Sequence, residues 1–154
     1  MGSETRIRTY TAEDKQQVLN LLRLNTPRYF APEEEKDFSY YLENELEYYF
    51  VLEYEESIVG CGGFNFSGNA AVGKISWDIF HPDYQGKSLG STLFDYRLKK
   101  LEEFTELKTI IVRTTQLVYK FYEKKGFELM EVIENYWAPG LDLYKMNYNP
   151  TLRR

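Results

Sequence analysis

The sequence has few of the residues that hold metals or form disulfides. Its 154 residues include one cysteine, Cys61, and one histidine, His81. A single cysteine excludes an internal disulfide and is typical of a reducing compartment. Because a protein zinc site uses about four cysteine, histidine or carboxylate ligands, one cysteine and one histidine argue against a bound metal.

Long apolar runs and blocks of positive charge are also missing. No apolar stretch approaches the roughly 18 residues that a membrane-spanning helix requires, and no signal peptide is evident. The net charge is −5 with no basic block, which argues against nucleic acid as a partner. We therefore expect a cytoplasmic protein that binds neither membrane nor nucleic acid. Its length favours a single domain over residues 1–154.

Aromatic residues, in contrast, are abundant. The chain contains 14 tyrosines and 10 phenylalanines, and aromatic residues make up 17% of it. We expect most tyrosines to fill core and strand positions with their hydroxyl groups reaching the surface. An aromatic-lined pocket is the alternative for the remainder.

Hydrophobic periodicity predicts an α/β (α+β) fold with a mixed central sheet of about seven strands and four helices. The predicted strands are 7–9, 48–54, 57–66, 72–80, 107–114, 127–134 and 141–148, and the helices are 11–26, 32–46, 89–104 and 117–125. The second helix is expected to bury Phe38, Tyr41, Leu42 and Leu46. The nearly continuous apolar run at 107–114 predicts a central strand covered on both faces, parallel to strand 72–80. Residues 135–140 are expected to form an aromatic loop.

A loop of mostly small and polar residues connects strand 72–80 to the third helix. It runs Pro82-Asp83-Tyr84-Gln85-Gly86-Lys87-Ser88-Leu89-Gly90. The first-turn amides of a helix have no partners within the helix, and the helix dipole there favours negative charge. Glycine allows the backbone to approach a ligand closely. Strand, loop and helix together indicate an anion site, most often for phosphate, although many such loops are plain connections.

Two motifs together resemble the GNAT superfamily of acetyl-CoA-dependent N-acetyltransferases, and the resemblance covers nearly the whole chain. Residues 85–90 resemble the family's Gln/Arg-x-x-Gly-x-Gly/Ala loop, with Ser88 in place of the middle glycine. Residues 121–127 resemble its second motif, a short helix with Phe-Tyr followed by Gly-Phe. A left-handed backbone at Ser88 would cost on the order of 1 kcal/mol. We expect instead an extended Ser88 that caps the helix, with its hydroxyl available to the phosphate.

The resemblance implies acetyl-CoA as co-substrate, bound mainly by backbone groups. It assigns the pyrophosphate to the loop residues Gln85, Gly86, Lys87, Ser88, Leu89, Gly90 and Ser91. It assigns the pantetheine arm to the backbone of Ile79, Phe80 and His81. Thr115 is expected to contact the cofactor, or equally to cap the short helix that follows. Lys87 either adds a charge near the phosphates or is solvated.

For catalysis the resemblance implies Tyr122 as the general acid that protonates the leaving thiolate. A phenol is protonated at neutral pH and can donate a proton. The alternative for Tyr122 is a packed aromatic ring. The nearest acidic candidate for a general base is Asp78, expected to share a strand face with Ser76. A structural hydrogen-bonding role for Asp78 is equally compatible with the sequence.

The acceptor is expected to be an amine, on a small molecule or a protein, that attacks the thioester directly. Aromatic residues Tyr29, Phe30, Tyr136 and Trp137 are expected at the edges of its pocket, or alternatively to hold loops in place. Homodimers are common in the family, so a homodimer is a further expected partner. The alternative function is a non-catalytic acyl-CoA-binding sensor or partner module.

Overall fold

The computed structural model describes residues 5–67, 70–84 and 86–152. Within these ranges the chain forms seven strands and four α-helices. The strands are β1 (Thr5–Thr9), β2 (Tyr48–Tyr54), β3 (Ser57–Phe66), β4 (Val72–Phe80), β5 (Thr109–Thr114), β6 (Phe127–Ala138) and β7 (Leu141–Tyr148). The helices are α1 (Lys15–Leu24), α2 (Glu34–Asn44), α3 (Leu89–Leu101) and α4 (Tyr119–Lys124). The predicted α/β (α+β) fold with seven strands and four helices is confirmed.

The strands form one sheet in the order β1-β2-β3-β4-β5-β7-β6. The parallel pairing of β4 with β5, from Val72↔Thr109 to Lys74↔Ile111, confirms the predicted parallel connection. Strand β7 is antiparallel to both β5 and β6. No helix in the described ranges combines the length and apolarity needed to cross a membrane.

The chain divides into two compact units, and the first contains the residues up to Asn65 together with Ser76–Thr105. One of its cores is built by α1 and α2, whose inner faces bury Leu22 and Phe38 completely. The expectation that Leu46 belongs to the buried stripe of α2 is wrong, because the helix ends at Asn44 and Leu46 is 37% exposed.

Glycines in β3 bring the backbone of the first unit close to neighbouring side chains. A Cβ atom added at Gly60 would lie 2.5 Å from the ring of Phe80. One added at Gly62 would collide with the carboxylate of Asp78 and lie 2.9 Å from a guanidinium nitrogen of Arg97. Glycine at these positions is what allows large side chains of β4 and α3 to pack directly on β3.

The second unit contains Phe66–Ile75 and the residues from Glu106 onward. In β5 the side chains of Ile110 and Val112 are buried, whereas Arg113 is exposed. The expectation that this strand is covered on both faces is therefore wrong at its C-terminal end. Helix α4 covers one face, since the ring of Tyr119 packs on that of Tyr144, 4.7 Å between centroids.

Strand β6 is longer than predicted. It continues to Ala138, which pairs with Leu141 of β7, so Tyr136 and Trp137 lie in a strand rather than a loop. Asn135 has a positive φ of 55°, and its side-chain oxygen accepts a hydrogen bond from the Gly140 amide at 2.8 Å. This local irregularity interrupts the pairing without ending the strand, which the residue pattern did not reveal.

Candidate functional site

The loop between β4 and α3 contains two left-handed residues. Gly86 has a φ of +83° and Ser88 a φ of +61° with a ψ of 20°, while Gln85 lies outside the described residues. The expectation that Ser88 is extended and caps α3 with its hydroxyl is wrong, since its side chain makes no capping hydrogen bond. Leu89 directly after it is buried.

Helix α3 begins immediately after this turn. The carbonyl of Ser88 accepts hydrogen bonds from the amide of Thr92 at 3.1 Å and from its hydroxyl at 3.0 Å. The first-turn amides therefore belong to Leu89, Gly90 and Ser91. Among the described residues no heavy atom lies within 4 Å of a Cβ added at Gly86, so this part of the loop is open. An open, left-handed loop at the start of a 13-residue helix suits an anion.

Lys87 projects from the same loop and is exposed. Its Nζ atom lies 5.9 Å from the centroid of the Tyr54 ring. This contact holds the ammonium beside the loop without committing its donors to a carboxylate. Both predicted roles for Lys87, at a phosphate or in solvent, are compatible with that position.

Backbone groups at the end of β4 already have partners within the first unit. The amide of His81 donates to the carbonyl of Val59 at 2.8 Å, and the carbonyl of Phe80 accepts from the side chain of Asn25 at 2.9 Å. The side chain of Ile79 is buried. The expected pantetheine contacts can therefore use these two groups only by sharing or displacing a bond.

The His81 side chain has a structural role at the turn after β4. Its Nδ1 atom accepts a hydrogen bond from the Asp83 amide at 3.1 Å. The His81 carbonyl also accepts one from the Tyr84 amide at 3.1 Å. The imidazole thus stabilises the start of the loop.

Asp78 forms a buried ion pair with Arg97 of α3. The guanidinium is 0% exposed, with Nη1 2.5 Å from one carboxylate oxygen and Nη2 donating to the other at 3.0 Å. Nη1 also donates to the carbonyl of Gly63 at 3.1 Å. Proton uptake by Asp78 would leave a buried guanidinium without its counter-charge, so this geometry favours the structural role over that of general base.

The backbone conformation at Trp77 changes which residues share a face of β4. Trp77 has a positive φ of 47°, and the Ser76 hydroxyl donates to the side-chain oxygen of Asn65 at 2.7 Å, which also accepts from Tyr41. Ser76 is thus on the α2 side of the sheet, and the expectation that it shares a face with Asp78 is wrong. The positive φ of Trp77 departs from extended strand geometry, which interrupts the alternation on which that expectation rested.

Two tyrosines are buried beside Trp77. Tyr49 donates its phenolic hydrogen to the carbonyl of Trp77 at 2.7 Å. Burial raises the pKa of Tyr49 and of Tyr41 well above the ordinary value for a phenol. Both groups therefore remain neutral donors at physiological pH, Tyr49 to the Trp77 carbonyl and Tyr41 to the side chain of Asn65.

Tyr122 lies in α4 of the second unit, and its side chain is 3% exposed. Its ring makes edge-to-face contacts with Phe121 and Phe127, at centroid distances of 5.1 and 5.6 Å. These contacts fix the orientation of the phenol. The packed-ring interpretation and the catalytic one are therefore not exclusive.

Thr115 caps the turn before α4. Its hydroxyl accepts a hydrogen bond from the Leu117 amide at 3.1 Å, and its carbonyl accepts from the amides of Val118 and Tyr119. The side chain is buried. Helix α4 itself begins after Val118, which makes no side-chain capping bond, so the expectation that Thr115 caps this helix is wrong, and the cofactor contact stays a prediction.

Of the four aromatic residues expected at the acceptor pocket, two lie in the first unit. Phe30 stacks on Trp77 with ring centroids 6.2 Å apart and an interplanar angle of 15°. The guanidinium of Arg28 lies 5.0 Å from the centroid of the Tyr29 ring.

The other two aromatic residues lie in the second unit and meet an arginine that sequence analysis missed. Arg113 of β5 lies 5.1 Å from the ring centroid of Tyr136 and 5.5 Å from that of Trp137. The indole nitrogen of Trp137 donates to the carbonyl of Thr114 at 3.2 Å. The only signal for Arg113 was a charged residue inside the apolar run 107–114.

The sequence is similar to known acetyltransferases. Residues 16–127 match the acetyltransferase (GNAT) family. The amino-acid acetyltransferase of Pasteurella multocida is 26% identical over 132 residues, which cover 86% of this chain and 29% of that protein. The amino-acid acetyltransferase of Pseudomonas fluorescens is 30% identical over 108 residues, which cover 70% of this chain and 24% of that protein. The chain thus spans less than a third of the length of these relatives.

Solved structures share the fold at low sequence identity. The ribosomal-protein-alanine N-acetyltransferase of Brucella melitensis superposes with a TM-score of 0.73 at 19% identity, over 92% of this chain and 98% of that one. A variant of the spermidine N-acetyltransferase of Vibrio cholerae gives a TM-score of 0.72 at 17% identity, over 96% of this chain and 94% of that one.

Proposed function

This chain belongs to the acetyltransferase (GNAT) family, and on that premise we propose that it transfers an acetyl group from acetyl-CoA to a primary amine. The observation that carries the proposal is the loop of residues 86–91. Two left-handed residues there lead directly into the first turn of α3, and the loop is open at Gly86. This arrangement fits a pyrophosphate, because unpaired amides at a helix N-terminus bind anions without side-chain charge.

Acetyl-CoA, when bound, supplies the acetyl group as a thioester. The amides of residues 86–91 hold its pyrophosphate, and Lys87 adds a positive charge beside them. Backbone groups of Ile79, Phe80 and His81 align the pantetheine arm, and a backbone N–H of β4 polarises the thioester carbonyl. Thr115 adds a polar contact from the turn before α4.

The neutral amine attacks the carbonyl carbon, so that a C–N bond forms and the C–S bond breaks. Tyr122 donates its phenolic proton to the departing thiolate, and the proton lost by the amine passes to water. The enzyme accelerates the reaction by positioning the substrates and by electrostatic stabilisation, and no covalent enzyme intermediate forms. Asp78 is assigned to Arg97 and not to proton transfer from the amine.

The test of this function compares two tyrosines of one helix. Tyr122→Phe removes the proposed proton donor, and Tyr119→Phe is the matched control in α4. Release of free thiol from acetyl-CoA is followed with a panel of primary amines. We expect Tyr122→Phe to lower kcat by about 100-fold, in line with the loss of a general acid, with KM for acetyl-CoA unchanged. An unchanged kcat would remove the role assigned to Tyr122.

The second candidate function is a non-catalytic acyl-CoA-binding module. The observation in its favour is Ser88, a serine in a left-handed conformation where the family has glycine. Wild-type protein that binds acetyl-CoA but releases no thiol with any amine would establish this alternative.

A further inference from the structure

Arg113 lies on the face of β5 opposite the one that α4 covers. Thr114 pairs with Tyr144, whose ring contacts Tyr119 of α4. Side chains alternate along a strand, so Arg113 points to the other face. Its cross-strand partner on that face is Lys145 of β7. On its other side Lys145 pairs with Glu131 of β6, so the charge of Lys145 already has an acidic cross-strand neighbour.

The Arg113 guanidinium is held by aromatic groups and not by an acid. Nη2 donates to the phenolic oxygen of Tyr136 at 2.5 Å. The rings of Tyr136 and Trp137, inclined at 87° to each other, form two walls around the guanidinium. Across the described ranges neither Arg113 nor Lys145 has a carboxylate as ion-pair partner.

We propose that Arg113 binds the carboxylate of the acceptor, so that the acceptor is an amino acid and not a simple amine. This inference rests on the proposed acetyl transfer. Tyr136 and Trp137 are the residues expected at the edge of the acceptor pocket, and Arg113 contacts both of them.

The chemistry of the arginine side chain supports a carboxylate as its ligand. A guanidinium presents five N–H donors in a planar fork that matches the two oxygens of a carboxylate. In Arg113 one Nη atom bonds to Tyr136. The aromatic walls limit the rotation of the side chain, which reduces the entropy lost when a ligand binds. The remaining donors are oriented before the ligand arrives.

The experiment measures acetyl transfer to matched acceptor pairs. Each standard amino acid is compared with its α-carboxamide, which keeps the amine and removes the negative charge. The wild type is compared with Arg113→Gln, with Arg113→Lys, and with Arg6→Gln as a control that removes one exposed arginine from β1. We expect the wild type to acetylate an amino acid with a KM at least about tenfold below that of its carboxamide.

In Arg113→Gln the KM for the amino acid should rise about 10- to 100-fold, as expected for the loss of a charged hydrogen-bonded pair. The KM values for the carboxamide and for acetyl-CoA should not change. The KM of Arg113→Lys for the amino acid should lie between those of Arg113→Gln and the wild type, because lysine keeps the positive charge but lacks the planar guanidinium that can bind both carboxylate oxygens. The KM values of Arg6→Gln should equal those of the wild type.

Two results would overturn the inference while leaving acetyl transfer intact. One is equal turnover of amino acids and carboxamides by the wild type. The other is an equal rise in KM for both acceptors in Arg113→Gln, which would indicate a structural role. If no amine releases thiol, the proposed function fails, and calorimetric titration with the same amino acids and carboxamides decides whether Arg113 binds a carboxylate. Binding of the amino acids to the wild type alone would support the site, and its absence would refute it.

Discussion

Replacing Asp78 by asparagine should destabilise the protein severely without removing a catalytic group. The guanidinium of Arg97 is fully buried, and its charge is balanced by the Asp78 carboxylate at 2.5 and 3.0 Å. Removing one partner of a buried pair leaves an uncompensated charge, which typically costs about 3–5 kcal/mol. This is a large part of the roughly 5–15 kcal/mol by which a native domain is stable.

Urea unfolding followed by tryptophan fluorescence measures this cost, since Trp77 lies next to Asp78 in the chain. The matched control is Glu35→Gln, which breaks a surface pair with Arg23 whose side chains are 40% and 51% exposed. Solvent screens that pair, so its loss should change the urea midpoint far less. Adding Arg97→Met to Asp78→Asn should recover part of the lost stability, because the uncompensated charge is then removed.

Two results would refute this reasoning. If Asp78→Asn shifts the urea midpoint no more than Glu35→Gln, the pair does not stabilise the fold. If the variant is stable but has lost all turnover per folded molecule, Asp78 is the general base after all. We expect kcat of the folded fraction, measured at low temperature, to stay within about tenfold of the wild type because no proton transfer is lost.

Three further predictions concern other positions. Ser88→Gly should raise the free energy of unfolding by up to about 1 kcal/mol by relieving the left-handed serine, and a lower urea midpoint would contradict this. Burial raises the pKa of the Cys61 thiol to about 12, so iodoacetamide at pH 8 should label it only after unfolding, and rapid native labelling would be contrary to it. The hydrogen-bonded Arg8 guanidinium holds the pKa of Asp14 below the ordinary 3.8. The pair therefore stabilises the folded protein above pH 3.8, and this stabilisation is lost as the pH falls through the pKa of Asp14 in the folded state. Asp14→Asn should therefore lower the free energy of unfolding by about 1–3 kcal/mol at pH 7 and by less at pH 3. An equal loss at both pH values would contradict the lowered pKa of Asp14.

Much of the fold could be predicted because local patterns and tertiary structure agree. The seven strands, the four helices and the parallel step from β4 to β5 all follow from residue type and periodicity. At Gly60 and Gly62 of β3 the side chains of Phe80 and Asp78 occupy the space that a Cβ atom would need.

The site was predicted less completely because its special features depend on tertiary contacts. Nothing in the sequence around Trp77 or Ser88 demands a positive φ, yet both residues adopt one. Tertiary contacts hold residues such as Trp77 and Ser88 in these conformations. The types of the neighbouring residues in the sequence therefore do not predict them. Arg97 likewise occupies a helix position that periodicity assigns to the core, where tertiary contacts such as those with Asp78 and the Gly63 carbonyl explain a charge.

Arg113 illustrates the same point on the acceptor side. A charged residue in an apolar run is compatible with a strand end, an ion pair or a ligand contact. Its neighbours Tyr136 and Trp137 are more than twenty residues away in sequence and meet it through the pairing of β5, β7 and β6. Only the sheet order shows that these three side chains come together.

The most direct test of the account is a calorimetric titration of the wild-type protein with acetyl-CoA, with ATP and NAD as control ligands. We predict micromolar binding of acetyl-CoA alone, and markedly weaker binding by Gly86→Val, because a β-branched residue cannot adopt the left-handed backbone of the phosphate loop without strain. Absence of acetyl-CoA binding, or equal binding by wild type and Gly86→Val, would contradict the assignment of this loop.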